Sequence, residues 1–326
     1  MGRVAILTDS AADLLPEELA AGRIAVVPLS VSFGEATYQP GVDLSVEDFW
    51  VRLTAPGAPF PKTAAPSSGL LQAAFERAFS EGAEAVVCVT LSGGLSSTVQ
   101  SARIARAALP EREIHVMDTR WATIPEGMLV LLASEMAAEG RAAREIAAEL
   151  ERRIPDLHAF IALDTLEYLR RGGRIGAATA ALGTVLSVHP ILTMVDGALE
   201  QMERVRTRGR ARQRVIELMA ALPAERLTVL HTQGPDVERF ADELARASGF
   251  DRSRMAIRMV GATIGAHLGA GSARRGRPVP HWLTQGHEAR GGQPPLGPTR
   301  HCPGRHPRER GPAPCSGPGV RRPHLT

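Results

Sequence analysis

AVVCVTLSGGLSST, residues 85–98, is the stretch that decides the fold. Five apolar residues in a row at 85–89 are typical of a strand buried on both faces, as in parallel sheets covered by helices. A Gly/Ser loop follows, a helix is expected from about residue 97 to 109, and residues 114–117 are apolar again. The order strand, loop, helix, strand predicts an α/β fold with this strand inside the sheet.

The same alternation continues on both sides of this stretch. We predict strands at 4–7, 24–31, 158–163, 190–195, 199–204, 227–231 and 255–260. We predict helices at 16–21, 45–53, 67–80, 125–154 with a break near Gly140, 210–222 and 235–248. The pattern predicts two α/β domains, and parallel sheets of this kind bind ligands at the carboxyl ends of their strands. Residues 1–155 would hold a mainly parallel sheet covered by helices, and residues 156–271 a smaller α/β sandwich.

The last segment, residues 272–326, differs in composition from the rest. Eleven of the 24 prolines and half of the histidines fall there, together with ten Arg and two Glu. Such a segment buries too little apolar surface to offset its ordering entropy, so we expect disorder. It is either a genuine basic tail or the product of a reading-frame change near codon 272. Without it the chain is mildly acidic, which gives no general reason to bind nucleic acid.

Composition excludes several other classes of protein. The three cysteines, two of them in the last segment, form neither a disulfide framework nor a metal motif, and we expect no metal and no cofactor. Aromatic residues make up 4% of the chain, which argues against base stacking. No signal peptide follows Met1 and no apolar run is long enough to span a bilayer, so we expect a cytoplasmic protein.

Three polar segments follow predicted strands or precede predicted helices. Thr8, Asp9 and Ser10 come directly after the first strand, where they either cap the next helix or face a ligand. In the segment KTAAPS, residues 62–67, Ser67 is a candidate N-cap, and the free N–H groups of such a helix start also favour an anion. The loop SGGLSS, residues 92–97, offers hydroxyl donors and close backbone approach, but it lacks a P-loop or dinucleotide fingerprint.

Two further segments lie in the second half of the chain. LEYLRRGGRI, residues 166–175, predicts a helix that ends at the glycine pair, and VRTRGR, residues 205–210, is a second arginine cluster. These arginines either form a solvated face or dock a partner. His267 lies in GATIGAHLGAG, residues 261–271, where glycines on both sides suggest a loop that brings the imidazole close to a ligand.

Taken in order, these motifs resemble the DegV family of bacterial fatty-acid-binding proteins. The resemblance covers residues 3 to about 271, with TDS, T-x-x-P-S, S-x-x-LS-x-T, LEYLRRGGRI, DG, VRTRGRA and IGAHLG-x-G at family-like spacing. It implies two α/β domains (the EDD fold) with a fatty acid between them. It also implies that the chain is no enzyme by itself but presents the acid to an ATP-dependent fatty-acid kinase.

The resemblance also implies roles for particular residues. Thr63, His267 and either Ser92 or Ser96 would hold the fatty-acid carboxylate. The supporting positions would be Thr8, Asp9, Ser10, Gly93 and Gly94. Because the rest of the body is acidic, we interpret four arginines as a docking surface for the kinase: Arg170, Arg174, Arg206 and Arg210.

Some positions depart from the family pattern. The family's TSQPS is TAAPS here, Gly93 and Ser97 exchange the usual residue types, and the family's final apolar strand after residue 271 is absent from the sequence.

The alternative function is a hydrolase that uses Ser96, His267 and Asp9, although no G-x-S-x-G elbow is present. The sequence lacks the fingerprint of a nucleotide-binding enzyme. Nucleic-acid binding would rest on the Arg-rich tail alone.

Overall fold

Strands and helices alternate along the chain, as the apolar runs of the sequence predict. The computed structural model describes residues 3–176, 189–269 and 281–286. The strands are β1 (Val4–Asp9), β2 (Ala25–Val27), β3 (Ser30–Phe33), β4 (Ala36–Tyr38), β5 (Pro61–Ala64), β6 (Ala85–Thr90), β7 (Glu113–Asp118), β8 (His158–Ala162), β9 (His189–Val195), β10 (Ala198–Val205), β11 (Arg226–His231), β12 (Ala256–Met259) and β13 (His281–Gly286). The α-helices are α1 (Pro16–Gly22), α2 (Val46–Thr54), α3 (Ser68–Ser80), α4 (Thr98–Ala107), α5 (Ile124–Ala138), α6 (Ala143–Arg153), α7 (Glu167–Arg171), α8 (Arg208–Ala220), α9 (Val237–Ser248) and α10 (Ala262–Leu268).

The first sheet is parallel, and its strand order creates a place for a ligand. Within the described residues its order is β2-β1-β6-β7, and all three neighbouring pairs are parallel. Every residue of β6 is buried, which confirms the predicted internal strand. The chain goes from β1 to β2 on one side and returns to β6 on the other. Parallel sheets of this kind form a crevice at the carboxyl ends of the strands where the order reverses, here between β1 and β6.

The second sheet is mixed. Its order among the described strands is β10-β9-β8-β13-β11-β12, and only the β11–β12 pair is parallel. Helices α8 and α9 pack on it and share a buried cluster with its strands. The α/β class predicted for both halves of the chain is therefore confirmed. The predicted boundary at residue 155 falls in a short 3-10 helix, Ile154–Asp156, and a buried core continues across it from Ile6 to Leu268.

The prediction of one strand at residues 24–31 is wrong. That stretch forms β2 in the parallel sheet and β3 in a small antiparallel sheet, β4-β3-β5. Pro28 separates the two strands, and proline cannot donate a hydrogen bond within a ladder. Residues 61–64, predicted as loop, form β5, which pairs with β3 so that Thr63 lies opposite Val31.

The prediction of a loop around His267 is also wrong, because residues 262–268 form helix α10. Glycines at 261, 265 and 269 recur every four residues, which places them on one face of a helix. At Gly265 an added Cβ would lie 2.6 Å from a ring carbon of Phe49 and 3.0 Å from one of Trp50. Gly265 therefore allows close packing of α10 against α2, whereas an added Cβ would meet Asp13 at Gly261 and the Tyr168 ring at Gly269.

A strand lies inside the segment that we expected to be disordered. Strand β13 pairs antiparallel with β8 on one side and with β11 on the other. The prediction of disorder does not hold for these six residues, and the sheet position of the expected missing strand is filled. A strand between two partners gains ladder hydrogen bonds on both edges, which local composition does not report. The other residues of 272–326 lie outside the described part of the chain.

Candidate ligand-binding site

A cavity of about 770 Å³, counted with its opening to solvent, lies at the carboxyl ends of the parallel sheet. Apolar side chains from both halves of the chain form most of its wall: Leu29, Leu91, Leu95, Trp121, Pro125, Ile161, Leu169, Met194, Leu199, Ile264 and Leu268. Both halves of the chain therefore line the cavity, at the place where the family resemblance implies the ligand, and its wall is mainly apolar.

A threonine and a histidine form a polar pair in the wall of this cavity. Thr63 Oγ1 of β5 and His267 Nε2 of α10 are 2.8 Å apart, although 204 residues separate them in sequence. Burial, followed by the charge of Arg174, lowers the pKa of His267 to about 4. The imidazole is therefore neutral near pH 7, and it carries one N–H.

Gly172 leaves room for the His267 ring. An added Cβ at residue 172 would lie 2.3 Å from His267 Nδ1 and 3.0 Å from Cε1. The glycine at the C-cap of α7 thus leaves the space that the imidazole occupies. His267 Nδ1 is buried and has no hydrogen-bond partner within the described residues.

The two candidate serines differ in their surroundings. Ser96 lines the cavity, and its Oγ lies 2.9 Å from Thr98 Oγ1. Ser92 is fully buried elsewhere: its hydroxyl donates to the carbonyl of Gly197 at 2.6 Å and accepts from the N–H of Gly94. Ser92 therefore ties the loop after β6 to the β9–β10 turn.

The two glycines of this loop pack against different neighbours. At Gly94 an added Cβ would lie 2.3 Å from the carbonyl oxygen of Gly197, and at Gly93 it would lie 2.7 Å from Asp118 Oδ2. The N–H of Gly93 donates to Asp118 Oδ1 at 3.1 Å. Neither glycine lines the cavity. Both allow the loop to pack closely against its neighbours, because an added Cβ would clash at either position.

Thr8, Asp9 and Ser10 lie behind the cavity wall. The Asp9 carboxylate accepts hydrogen bonds from the N–H groups of Ala11 and Leu91. Ser10 Oγ lies 2.9 Å from Thr263 Oγ1 and accepts from the N–H of Leu29. These contacts hold Leu91, Leu29 and Thr263 in the wall, and the supporting role of the segment stays a prediction.

Sequence analysis missed Glu126, which is fully buried beside Thr8. The Thr8 hydroxyl donates to Glu126 Oε1 at 3.4 Å. Burial, and then the nearby Asp9 charge, hold the pKa of Glu126 well above its usual value, and burial raises the pKa of Asp9 to about 6. Glu126 lies in the mainly apolar sequence of α5. Nothing in that sequence indicates its contact with Thr8.

The four arginines predicted as a docking surface separate into two groups. Arg170, Arg206 and Arg210 are exposed. Arg174 lines the cavity, where its Nε donates to the carbonyl of Leu95 at 3.0 Å and its Nη1 to that of Gly172 at 2.8 Å. Those two bonds fix the guanidinium beside His267, so a positive charge belongs to the polar part of the cavity.

The residues of the alternative hydrolase are not arranged as a catalytic triad. The His267 Nε2 atom pairs with Thr63, and both Asp9 oxygens accept from backbone N–H groups instead of orienting the imidazole. In the parts of the chain that the structure describes, no group of three His, Cys, Asp or Glu side chains could hold a metal ion. No helix in those parts is long and apolar enough to cross a membrane.

This α/β protein thus has a largely apolar cavity with a hydroxyl, an imidazole and a guanidinium group in its wall, an arrangement typical of small-molecule sites. The chain belongs to the DegV family: the family model, "Uncharacterised protein, DegV family", matches residues 3–273. A DegV domain-containing protein of Halalkalibacterium halodurans is 36% identical over 277 residues, which cover 83% of this chain and 97% of the relative.

Two solved structures share this fold along their whole length. One is a DegV family protein from Thermus thermophilus, described by its fatty acid binding, with 32% identity and a TM-score of 0.77, covering 87% of this chain and 100% of that one. The other is DegV from Bacillus subtilis, described as a fatty acid binding protein, with 28% identity and a TM-score of 0.77, covering 88% and 100%. The family resemblance inferred from the motifs is confirmed.

Proposed function

We propose that this protein binds one long-chain fatty acid in the cavity between its two halves. The observation that carries the proposal is the Thr63–His267 pair, with Arg174 beside it, in the wall of a cavity that is otherwise mainly apolar. The fatty acid binding stated for the Thermus and Bacillus proteins supports the same ligand class. The protein acts as a carrier and not as an enzyme by itself.

The carboxylate is held by neutral donors and one charge. A carboxylate only accepts hydrogen bonds, so each contacting group must supply an N–H or O–H. If His267 Nε2–H donates to Thr63 Oγ1, the Thr63 hydroxyl proton is free to donate to the carboxylate. Ser96 supplies a second hydroxyl, and Arg174 supplies a charge-assisted donor. Ser92 takes no part, because Gly197 and Gly94 already engage its hydroxyl.

The acyl chain provides most of the affinity. Each buried CH₂ contributes roughly 0.8 kcal/mol, and the wall is lined by aliphatic side chains and Trp121. A small change at the carboxylate end therefore weakens binding in steps of a few kcal/mol instead of abolishing it.

The direct test is to identify what the protein carries after purification. Lipid is extracted under denaturing conditions and quantified by mass spectrometry, for the parent and for a Thr63→Ala, His267→Ala double variant. A Leu70→Ala variant, altered at an exposed side chain of α3, is the control. We expect near-stoichiometric C14–C18 acid, an estimate of roughly what such a cavity encloses, in the parent and the control, and much less in the double variant. Parent protein that holds no fatty acid and binds none on titration would refute the proposal.

The second part of the proposal is presentation of the bound acid to an ATP-dependent fatty-acid kinase in the cytoplasm, where ATP is available. The exposed Arg170, Arg206 and Arg210 are the candidate docking residues. Charge reversal at Arg206 and Arg210 should lower acyl-phosphate formation by the kinase without lowering fatty-acid content. Unchanged acyl-phosphate formation would contradict this surface.

A further inference from the structure

A second cavity, of about 370 Å³ counted with its opening, lies in the other half of the protein, between helices α8 and α9. It is separate from the fatty-acid cavity, with which it shares no lining residue. Its wall is formed by Ala162, Leu163, Asp164, His189, Arg208, Ala211, Arg212, Val215, Asp236 and Phe240. Strand β8 ends there, and α8 and α9 both begin there, so the positive ends of two helix dipoles face this region.

Buried guanidinium donors in this wall have no acceptor among the described residues. Arg208 and Arg212 are one helical turn apart on α8 and both line the cavity. Arg208 Nη2 and Arg212 Nε and Nη2 are buried without a hydrogen-bond partner in the described part of the chain. A buried donor without an acceptor costs free energy, more for a charged group. Among the described residues, these donors lack acceptors that a bound ligand could supply.

The other atoms of these guanidiniums are already held in place. Arg208 Nη1 lies 3.5 Å from Asp164 Oδ2, and Arg212 Nη1 lies 3.0 Å from Glu243. The Arg212 guanidinium carbon lies 5.1 Å from the centroid of the Phe240 ring. The unsatisfied donors are thus positioned before any ligand arrives, which lowers the ordering cost of binding.

The charge and polarity of the wall select among possible acceptors. Asp164 and Asp236 line the same cavity as the two arginines, and Glu243 pairs with Arg212. These three carboxylates repel a dianion such as phosphate about twice as strongly as a monoanion at the same place. Leu163, Val215 and Phe240 provide an apolar surface for an organic stem. Arginine also matches a carboxylate in planar, bidentate geometry.

We propose that this second cavity binds a small organic monocarboxylate, with its carboxylate on Arg208 and Arg212 and its short apolar stem against Val215 and Phe240. The site is independent of the fatty-acid site and goes beyond the proposed carrier function.

The test is isothermal titration of the full chain with sodium butanoate at constant ionic strength. Few atoms make contact, so millimolar affinity is expected. Arg208→Gln and Arg212→Gln should each weaken binding by about tenfold or more, since each removes hydrogen bonds from a charged donor. Arg246→Gln on the exposed side of α9 should leave butanoate binding unchanged. Arg208→Lys keeps the positive charge and should bind butanoate better than Arg208→Gln. A melting curve of each variant shows whether weaker binding reflects a lost contact or a lost fold.

Several results would overturn the inference. These are no saturable butanoate binding by the parent, binding lost in Arg174→Gln but kept in Arg208→Gln, or inorganic phosphate that binds more tightly than butanoate through the same two arginines. Failure of the fatty-acid proposal would instead show as an empty lipid extract with butanoate binding intact.

Discussion

Replacing Gly172 by alanine tests whether the position of His267 controls the ligand site. The backbone at residue 172 is right-handed, with φ −77°, so alanine meets no conformational barrier there. Its Cβ, however, would lie 2.3 Å from His267 Nδ1, and 3.0 Å from both His267 Cε1 and the carbonyl oxygen of Tyr168. Non-bonded heavy atoms rest about 3.5 Å apart, so the imidazole has to retreat by about 1 Å.

A shift of that size breaks the pair at the head of the cavity. The Thr63–His267 distance is 2.8 Å, and a hydrogen bond is lost beyond about 3.5 Å. Loss of one such bond costs about 1–1.5 kcal/mol, which weakens fatty-acid binding by about tenfold. Overpacking also lowers the free energy of unfolding by about 1–3 kcal/mol.

The assay is competition of palmitate against a fluorescent fatty acid, with urea denaturation of the ligand-free protein alongside. Gly209→Ala is the matched control, because its Cβ would meet no atom within 4 Å in helix α8, and it should leave palmitate affinity unchanged. The reasoning is refuted if Gly172→Ala binds palmitate as tightly as the parent.

Three further predictions follow from individual contacts. Ser92→Ala should lower the free energy of unfolding by about 1–3 kcal/mol, because it leaves the Gly197 carbonyl unsatisfied. Ser96→Ala should instead lower palmitate affinity. The reverse pattern in denaturation and palmitate titration would contradict the structural role of Ser92 and the ligand-facing role of Ser96. Phe75→Ala, at a fully buried ring, should lower the free energy of unfolding by about 3–5 kcal/mol in urea, and a loss below 1 kcal/mol would contradict that packing. Because burial raises the pKa of Asp9 to about 6, folding favours its protonated form, and its ionisation destabilises the fold as pH rises from about 4 to above 6. The stability of Asp9→Asn relative to the parent should therefore increase across that pH range, by up to about 3 kcal/mol. The measurement is urea denaturation repeated at each pH. A stability difference that does not change with pH would argue against the raised pKa of Asp9.

The sequence by itself determined the elements whose reasons are local. The unbroken apolar run before Ser92 predicted a buried strand, and β6 is buried throughout. Ser45 and Ser67 predicted helix starts, and both side chains accept the expected backbone hydrogen bond. The glycine pair at 172–173 predicted the end of α7. Caps, turns and periodicity act over a few residues, so they can be recognised without the rest of the chain.

Within the candidate site, residue types could be predicted but their partners could not. Thr63 and His267 were expected to share a ligand, and the structure brings them together, although on a strand and a helix instead of two loops. Which serine faces the cavity was open in the sequence, because Ser92 and Ser96 both belong to one polar loop. The β9–β10 turn decides it by engaging Ser92 through Gly197.

Only the tertiary structure decided the position of Arg174 and the role of β13. Arg174 has the sequence environment of an exposed helix end, but its bonds to Leu95 and Gly172 turn it into the cavity. Residues 281–286 lie in a segment whose overall composition predicted disorder, yet they fill the gap between β8 and β11. In both cases the stabilising partners are distant in sequence, and the free energy of such contacts depends on how the whole chain folds.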